Sequence, residues 1–314
     1  MNSLFHRLAN IGTDWLKALK TDGYVILDNV VEPHFAQSML CELKPLRCHS
    51  HVHNNNDNTY LIEKSNVWEC ELHMYKELQD ICPDLTRFLN DKSLCNIFND
   101  SKFFPYSFTH HTLKLLYSEN GGCFPLHFDS DYRIDHRRIT AILYLNEHLN
   151  DNNNDNDDDE SESGGELKLY PITRPCIKIP AKFNRMVLFS STLMLHSTSP
   201  THYPRYALNL WLHCDKSKSN ISIDTNQYQT HWWNNPEKVK CMAKYMYHKE
   251  WRDSILRAHQ PTDNKVQTLL KSHDRDLQVS LHKLKPWINE VFAHAHHIQN
   301  GGVDNTPIIP WFSL

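Results

Sequence analysis

The 314-residue chain has 8 glycines, where average usage of roughly 7% would give about 22. They are Gly12, Gly23 and the pairs Gly121-Gly122, Gly164-Gly165 and Gly301-Gly302. No stretch can therefore read G-x-G-x-x-G or G-x-x-x-x-G-K-[ST], which excludes the phosphate cradles of dinucleotide- and nucleotide-triphosphate-binding folds. Long apolar runs are missing too, so no segment reads as a membrane span or a secretory signal. The 9 cysteines contain no C-x-x-C; an odd, dispersed set argues for reduced thiols and a cytoplasmic or nuclear location. A formal net charge of -4 gives no electrostatic case for nucleic acid or membrane as a partner. The charge is unevenly spread: residues 216–314 hold 13 Lys+Arg and 9 Asp+Glu, and seven acids lie between Asp151 and Glu162.

With 40% hydrophobic and 11% aromatic residues, the chain can bury a sizeable core. Its length exceeds what one core usually fills, predicting a main domain with an appendage. The pattern predicts a helix ending near Lys20, a strand over Gly23–Val30, a helix over Glu32–Leu46, a polar loop over His49–Asn58 and a helix over Pro83–Phe98. Short β-branched or aromatic strands follow at 112–117, 124–128, 139–145, 167–170, 177–179, 185–189 and 206–212, the mark of an antiparallel sandwich or barrel. Asp151–Ser163 holds only Asn, Asp, Glu and Ser and is expected to be disordered. After Trp211 the period is helical again, with Pro236 starting a helix to about His259 and further pieces near 263–272 and 286–298. The organisation expected is an N-terminal support region over 1–100, a β core over 101–215 with an acidic insertion at 150–163, and a C-terminal helical extension over 216–314.

Chemistry gathers in the β region. His127-Phe128-Asp129 lies in an expected strand, where alternate side chains share a face and can reach one metal ion. Alone the pair says little, because a chain with 22 His and 37 acids yields His-x-acid matches by chance. His196 follows the apolar Met186–Phe189, and Arg205 opens the strand Tyr206–Trp211. Two imidazoles and one carboxylate on a β scaffold leave three coordination positions open, which suits non-haem Fe(II) better than tetrahedral zinc. A nearby guanidinium can grip a carboxylate in a bidentate manner.

Lys114-Leu-Leu-Tyr-Ser-Glu-Asn-Gly-Gly-Cys-Phe-Pro-Leu-His-Phe-Asp129, Ile139–Asn146, Gly164–Tyr170 and His196 followed by Arg205–Trp211 resemble the iron- and 2-oxoglutarate-dependent dioxygenases. The prolyl 4-hydroxylase-like branch, particularly its intracellular oxygen-sensing type, is the most similar. The resemblance covers about residues 112–213. It implies a double-stranded β-helix, or jelly roll, with N-terminal supporting helices, and Fe(II) bound by His127, Asp129 and His196. It further implies that Arg205 pairs with the distal carboxylate of 2-oxoglutarate, that Tyr117 donates a hydrogen bond to the same group, that Tyr144 approaches the cosubstrate and that Trp211 lines the wall behind the iron. The reaction implied is hydroxylation of peptidyl proline, with O2 consumed, 2-oxoglutarate decarboxylated to succinate, and ascorbate as a further cofactor. Collagen-type relatives carry Lys where Arg205 stands and nucleic-acid demethylases show two arginines in the last strand, so both fit less well. Asn209 stands where the family has Thr or Ser. A small-molecule hydroxylase and a non-catalytic metal-binding interaction module are the alternatives.

Four other features read as structural. Cys48-His-Ser-His-Val-His53 has ligand residue types but the spacing of no closed zinc site. One of His110 and His111 must face inward. The Trp232-Trp233 pair is expected to pack the C-terminal region onto the core, and Gly301-Gly302 to form a flexible linker.

Overall fold

The computed structural model describes residues 4–47, 62–131, 133–147, 164–215, 231–260, 263–305, 307 and 309–312, with the backbone of 52–55 and 58–61. Asp151–Ser163, most of the Cys48–His53 run and Trp-free segment 216–230 lie outside the described residues.

Helices α1 (His6–Asn10) and α2 (Asp14–Asp22) lead into strand β1 (Tyr24–Asp28), then α3 (Pro33–Leu43). α3 starts on a proline, which fits a first helical turn, and buries Phe35, Ala36, Met39, Leu40 and Leu43 on one face. The polar stretch read as a loop instead contains paired strands β2 (Val52–Asn55) and β3 (Asn58–Leu61). The connection between the two is two residues long, so ladder pairing can satisfy the backbone without an apolar face. Strand β4 (Val67–Glu71) and helices α4 (Lys76–Ile81), α5 (Pro83–Asn90) and α6 (Ser93–Ser101) follow. The single helix expected over 83–98 is two, because the Asp91 side chain accepts the backbone N–H of Ser93 at 2.8 Å and restarts the chain there. His111 is the inward histidine of its pair, 5% exposed, with Nε2 bonded to the Phe88 carbonyl at 3.1 Å.

The β region contains β5 (Phe108–Ser118), β6 (Arg137–Tyr144), β7 (Leu167–Tyr170), β8 (Ile177–Ile179), β9 (Arg185–Ser190), β10 (Leu195–Thr198) and β11 (Arg205–Cys214). They form a six-stranded sheet in the order β1-β9-β6-β11-β5-β4 and a three-stranded sheet β10-β7-β8, antiparallel throughout. This is a jelly-roll core with flanking helices. The expected strand at 124–128 does not form; the segment makes only an isolated bridge, His127 to His196. β10, unforeseen, is buried on nearly every residue, so it lacks the alternation that marks a strand in sequence.

At the C-terminal side α7 (Pro236–Met246) is capped by Asn235, whose Oδ1 accepts from the backbone of Glu237 and Lys238. α8 (His248–Ala258), α9 (Asn264–Leu284) and α10 (Ile288–Gln299) complete the chain. Trp232 is 1% exposed within the main apolar core, as expected of a packing residue. Gly301-Gly302 is no linker: Gly301 adopts φ +86°, and Gly301 N–H and Gly302 N–H donate to the carbonyls of Ile298 and His297. Such bonds terminate a helix.

Candidate metal centre and its cavity

The metal-ligand residues are brought together by backbone pairing rather than by a shared strand. After β5 the chain turns, with Gly122 N–H donating to the Glu119 carbonyl at 2.7 Å, and runs back toward β10. There His127 and His196 exchange backbone hydrogen bonds at 3.0 and 3.1 Å, which places the two imidazoles 4.2 Å apart by ring centroid. Asp129 follows two residues on. Its Oδ1 lies 3.5 Å from His127 Nε2 and its Oδ2 3.6 Å from His196 Nε2, and one ligand atom from each residue falls within 4.8 Å of the others.

The orientation of each ligand is set from behind. His127 Nδ1 bonds the Pro125 carbonyl at 2.8 Å and His196 Nδ1 the Met194 carbonyl at 3.1 Å. A carbonyl only accepts, so each Nδ1 carries hydrogen and each Nε2 keeps its lone pair for a metal. Thr140 Oγ1 donates to Asp129 Oδ2 at 2.6 Å and contacts Ser191 Oγ at 2.8 Å. Burial pushes the Asp129 carboxyl up, but the two imidazoles and the Thr140 hydroxyl together hold it well below the usual carboxylate range. Burial pushes His196 down to about 4, helped by His127 and opposed by Asp129. The result is an anionic oxygen beside two nitrogen donors, a set that fits Fe(II) and leaves coordination positions open.

A cavity of about 510 Å³ opens over these residues. One face of β11 supplies Arg205, Asn209 and Trp211, and the facing strand β5 supplies Lys114 and Leu116. Arg205 is 4% exposed. Its Nε donates to the Gly165 carbonyl at 2.8 Å, its guanidinium carbon sits 5.1 Å from the Tyr144 ring centroid, and among the described residues no carboxylate lies within ion-pair distance of it. Burial draws the guanidinium below its ordinary value, with Tyr144 opposing, and pushes the Tyr144 hydroxyl up. Tyr144 Oη is buried against Arg205, which acts on it as a hydrogen-bonding neighbour, and among the described residues it has no other partner. A buried guanidinium with a hydroxyl beside it forms a site for an anion such as a carboxylate. Gly165 allows the approach: at φ +77° its Cβ would stand 3.1 Å from Arg205 Cδ and 3.1 Å from Thr201 Oγ1.

Trp211 is 4% exposed, with Lys114 Nζ 5.1 Å and Arg137 Cζ 4.5 Å from its ring, so it forms part of the cavity wall. Tyr117 does not share this space. Side chains alternate along β5, and Lys114 and Leu116 take the cavity face. Tyr117 therefore stands on the other face of the sheet, packed on Trp68 and Tyr206 at 5.1 and 5.0 Å beneath the Arg47 guanidinium. The hydrogen bond to a cosubstrate that the resemblance implied for Tyr117 is corrected by this parity.

Two contributors escaped sequence reasoning. Thr140 reaches Asp129 because β6 pairs with β9, beyond whose end Ser191 contacts Thr140 Oγ1 and accepts the N–H of Ser130, the residue after Asp129; a strand threonine carries no signal of that. The α8 and α9 residues Trp251, Ile255 and His273 line the cavity from more than a hundred residues beyond His127, and the sequence offers for Trp251 and Ile255 only a helix pattern and for His273 no signal.

Comparison with known proteins places this geometry. No curated protein matches the chain in sequence. Among solved structures, prolyl 4-hydroxylases from Phytophthora capsici align at 24% identity over 94% of this chain and 95% of that one, with a TM-score of 0.70. A prolyl hydroxylase from Trichoplax adhaerens, in complex with a peptide fragment of the hypoxia inducible factor oxygen degradation domain, aligns at 22% identity over 68% of this chain and 93% of that one, TM-score 0.53. At these identities the likeness is one of fold. Residues 112–213, which contain all three members of the His-Asp-His site together with Arg205, match the sequence model of the 2OG-Fe(II) oxygenase superfamily.

Proposed function

We propose that the protein is an Fe(II)- and 2-oxoglutarate-dependent dioxygenase that hydroxylates proline in a protein or peptide. The observation that carries this reading is the pairing of the His127-Asp129-His196 cluster with a buried, carboxylate-free Arg205 in one cavity. His127 and His196 would hold Fe(II) through Nε2 and Asp129 through its carboxylate. When bound, Fe(II) with 2-oxoglutarate and O2 supplies oxidative decarboxylation to succinate and transfer of one oxygen atom to the substrate.

The chain's own residues orient and select. Arg205 would take the distal carboxylate of 2-oxoglutarate through its terminal amino groups, its Nε being engaged by Gly165. Tyr144 Oη, held beside the Arg205 guanidinium, would donate to the same carboxylate. Thr140 keeps Asp129 in one rotamer, and Trp211 closes the wall against water. Peptidyl proline is supported by two structures of this fold that are prolyl hydroxylases, one holding a peptide.

Succinate release from 2-oxoglutarate with Fe(II), with and without a proline-containing peptide, tests the reading. Stimulation by peptide, with one oxygen atom gained in its mass, is the expected result. Turnover with small metabolites only would move the substrate class, and no turnover in folded, iron-loaded protein would reject the enzyme.

A further inference from the structure

The chemistry above leaves the C-terminal helices unused, yet they wall the cavity. α8 is fastened to the metal-binding segment by two consecutive hydrogen bonds: Leu126 N–H donates to Ser254 Oγ at 2.9 Å, and Ser254 Oγ donates to the Trp251 carbonyl at 2.7 Å. Ser254 is 3% exposed, so water does not compete for these bonds. Leu126 directly precedes His127, and the backbone of Trp251 is thereby fixed relative to a metal ligand.

The Trp251 ring is held as firmly. It meets Phe128 edge-on at 5.9 Å and 64°, His273 of α9 at 5.8 Å and Lys244 Nζ of α7 at 4.9 Å. Phe128 sits between His127 and Asp129 in the chain. Trp251, Ile255 and Leu269 line the same cavity as the metal cluster. The charge nearest this wall is already satisfied, since Lys244 Nζ pairs with Asp276 Oδ2 at 2.8 Å. His273 Nε2 bonds the His248 carbonyl at 3.0 Å. On the wall that α8 and α9 supply, an incoming group thus meets an aromatic ring with aliphatic neighbours, and the cation over that ring, Lys244, is already paired.

We infer that Trp251 of α8 is a specificity-determining residue, the surface against which the five-membered ring of the substrate proline packs, with Ile255 and Leu269 beside it. The inference rests on the peptidyl-proline reading. The C–H bonds of a pyrrolidine ring, polarised by the amide nitrogen, match the electron-rich face of an indole. A ring already locked by three neighbours loses little freedom when it binds. A charged substrate residue in the same place would shed water without gaining a partner, which the wall disfavours.

The test uses the full-length, iron-loaded enzyme and a proline-containing peptide, with thermal melting to confirm folding. Trp251→Ala is expected to raise the peptide KM about tenfold while the 2-oxoglutarate KM moves less than twofold. Trp251→Phe should return the peptide KM to within about threefold of the parent, and Ile255→Ala should raise it by about threefold. An unchanged peptide KM in folded Trp251→Ala, or an equal rise in both KM values, overturns the proposal. If Trp251→Ala does not fold, an unchanged peptide KM in both milder variants overturns it. Absence of peptide turnover in the parent enzyme sinks the proline reading itself, whereas peptide turnover insensitive to Trp251 sinks only this inference.

Discussion

At the scale of single residues, each proposed role separates from its neighbours by measurement. Arg205→Ala removes a pair of charge-assisted hydrogen bonds, about 3 kcal/mol in total, and is expected to raise the 2-oxoglutarate KM by about a hundredfold. Titration of the same variant with Mn(II) should show metal affinity close to that of the parent, and equal loss of both would count against the assignment. Thr140→Val deprives Asp129 of its 2.6 Å donor; losses of this kind weaken metal binding by about tenfold, readable in the same titration. Tyr117→Phe should leave the 2-oxoglutarate KM within twofold of the parent, and a tenfold rise would restore the role that its place in the motif implied. That His127, Asp129 and His196 cluster and share a cavity with Arg205 was legible because metal binding and carboxylate pairing each need a particular residue type. The role that the resemblance implied for Tyr117 rests on its place in the motif, which does not show which face of β5 the residue takes. One residue of parity sends Leu116 into the cavity and Tyr117 out of it.

At the scale of elements, β7 and β8 were legible at their observed bounds, since both are short segments in which apolar residues alternate with a lysine. The segment 124–128 has strand composition but finds only a single bridging partner, and composition cannot reveal a missing neighbour. The edge strand β1 is pinned to β9 by Asp28, whose Oδ1 and Oδ2 accept from Arg185 Nε and Nη2 at 2.7 and 2.9 Å. The Arg185 hydrogen bond holds the Asp28 carboxyl below its ordinary value, against a smaller opposing effect of burial. The folded value therefore lies below the unfolded one, so the stabilisation is complete above about pH 4 and is lost as pH falls through the folded value. Asp28 is half exposed, which limits its contribution to under about 1 kcal/mol. Urea titrations of the parent and Asp28→Asn should differ by that amount at pH 7 and converge as the pH falls below the folded value.

At the scale of the whole molecule, the main apolar cluster includes residues from Leu4 to Phe312, and helices from both ends of the chain pack on the β core. The jelly roll was legible from its strand rhythm and its motifs. The part played by α8 and α9 in the cavity was not, because it depends on a docking that no local pattern encodes. A chain ending after Cys214 should expose the apolar surface that Trp232, Val239 and Met242 now cover, and its melt should lose the cooperative transition of the parent. The bond between Leu126 and Ser254 spans 128 positions, and this sets an order of events at the ribosome. During synthesis, His127, Asp129 and His196 all precede α8, so the backbone beside the first proposed ligand stays unclasped until Ser254 has been added. Iron offered to the growing chain before then would meet three proposed ligands that are present but not yet held.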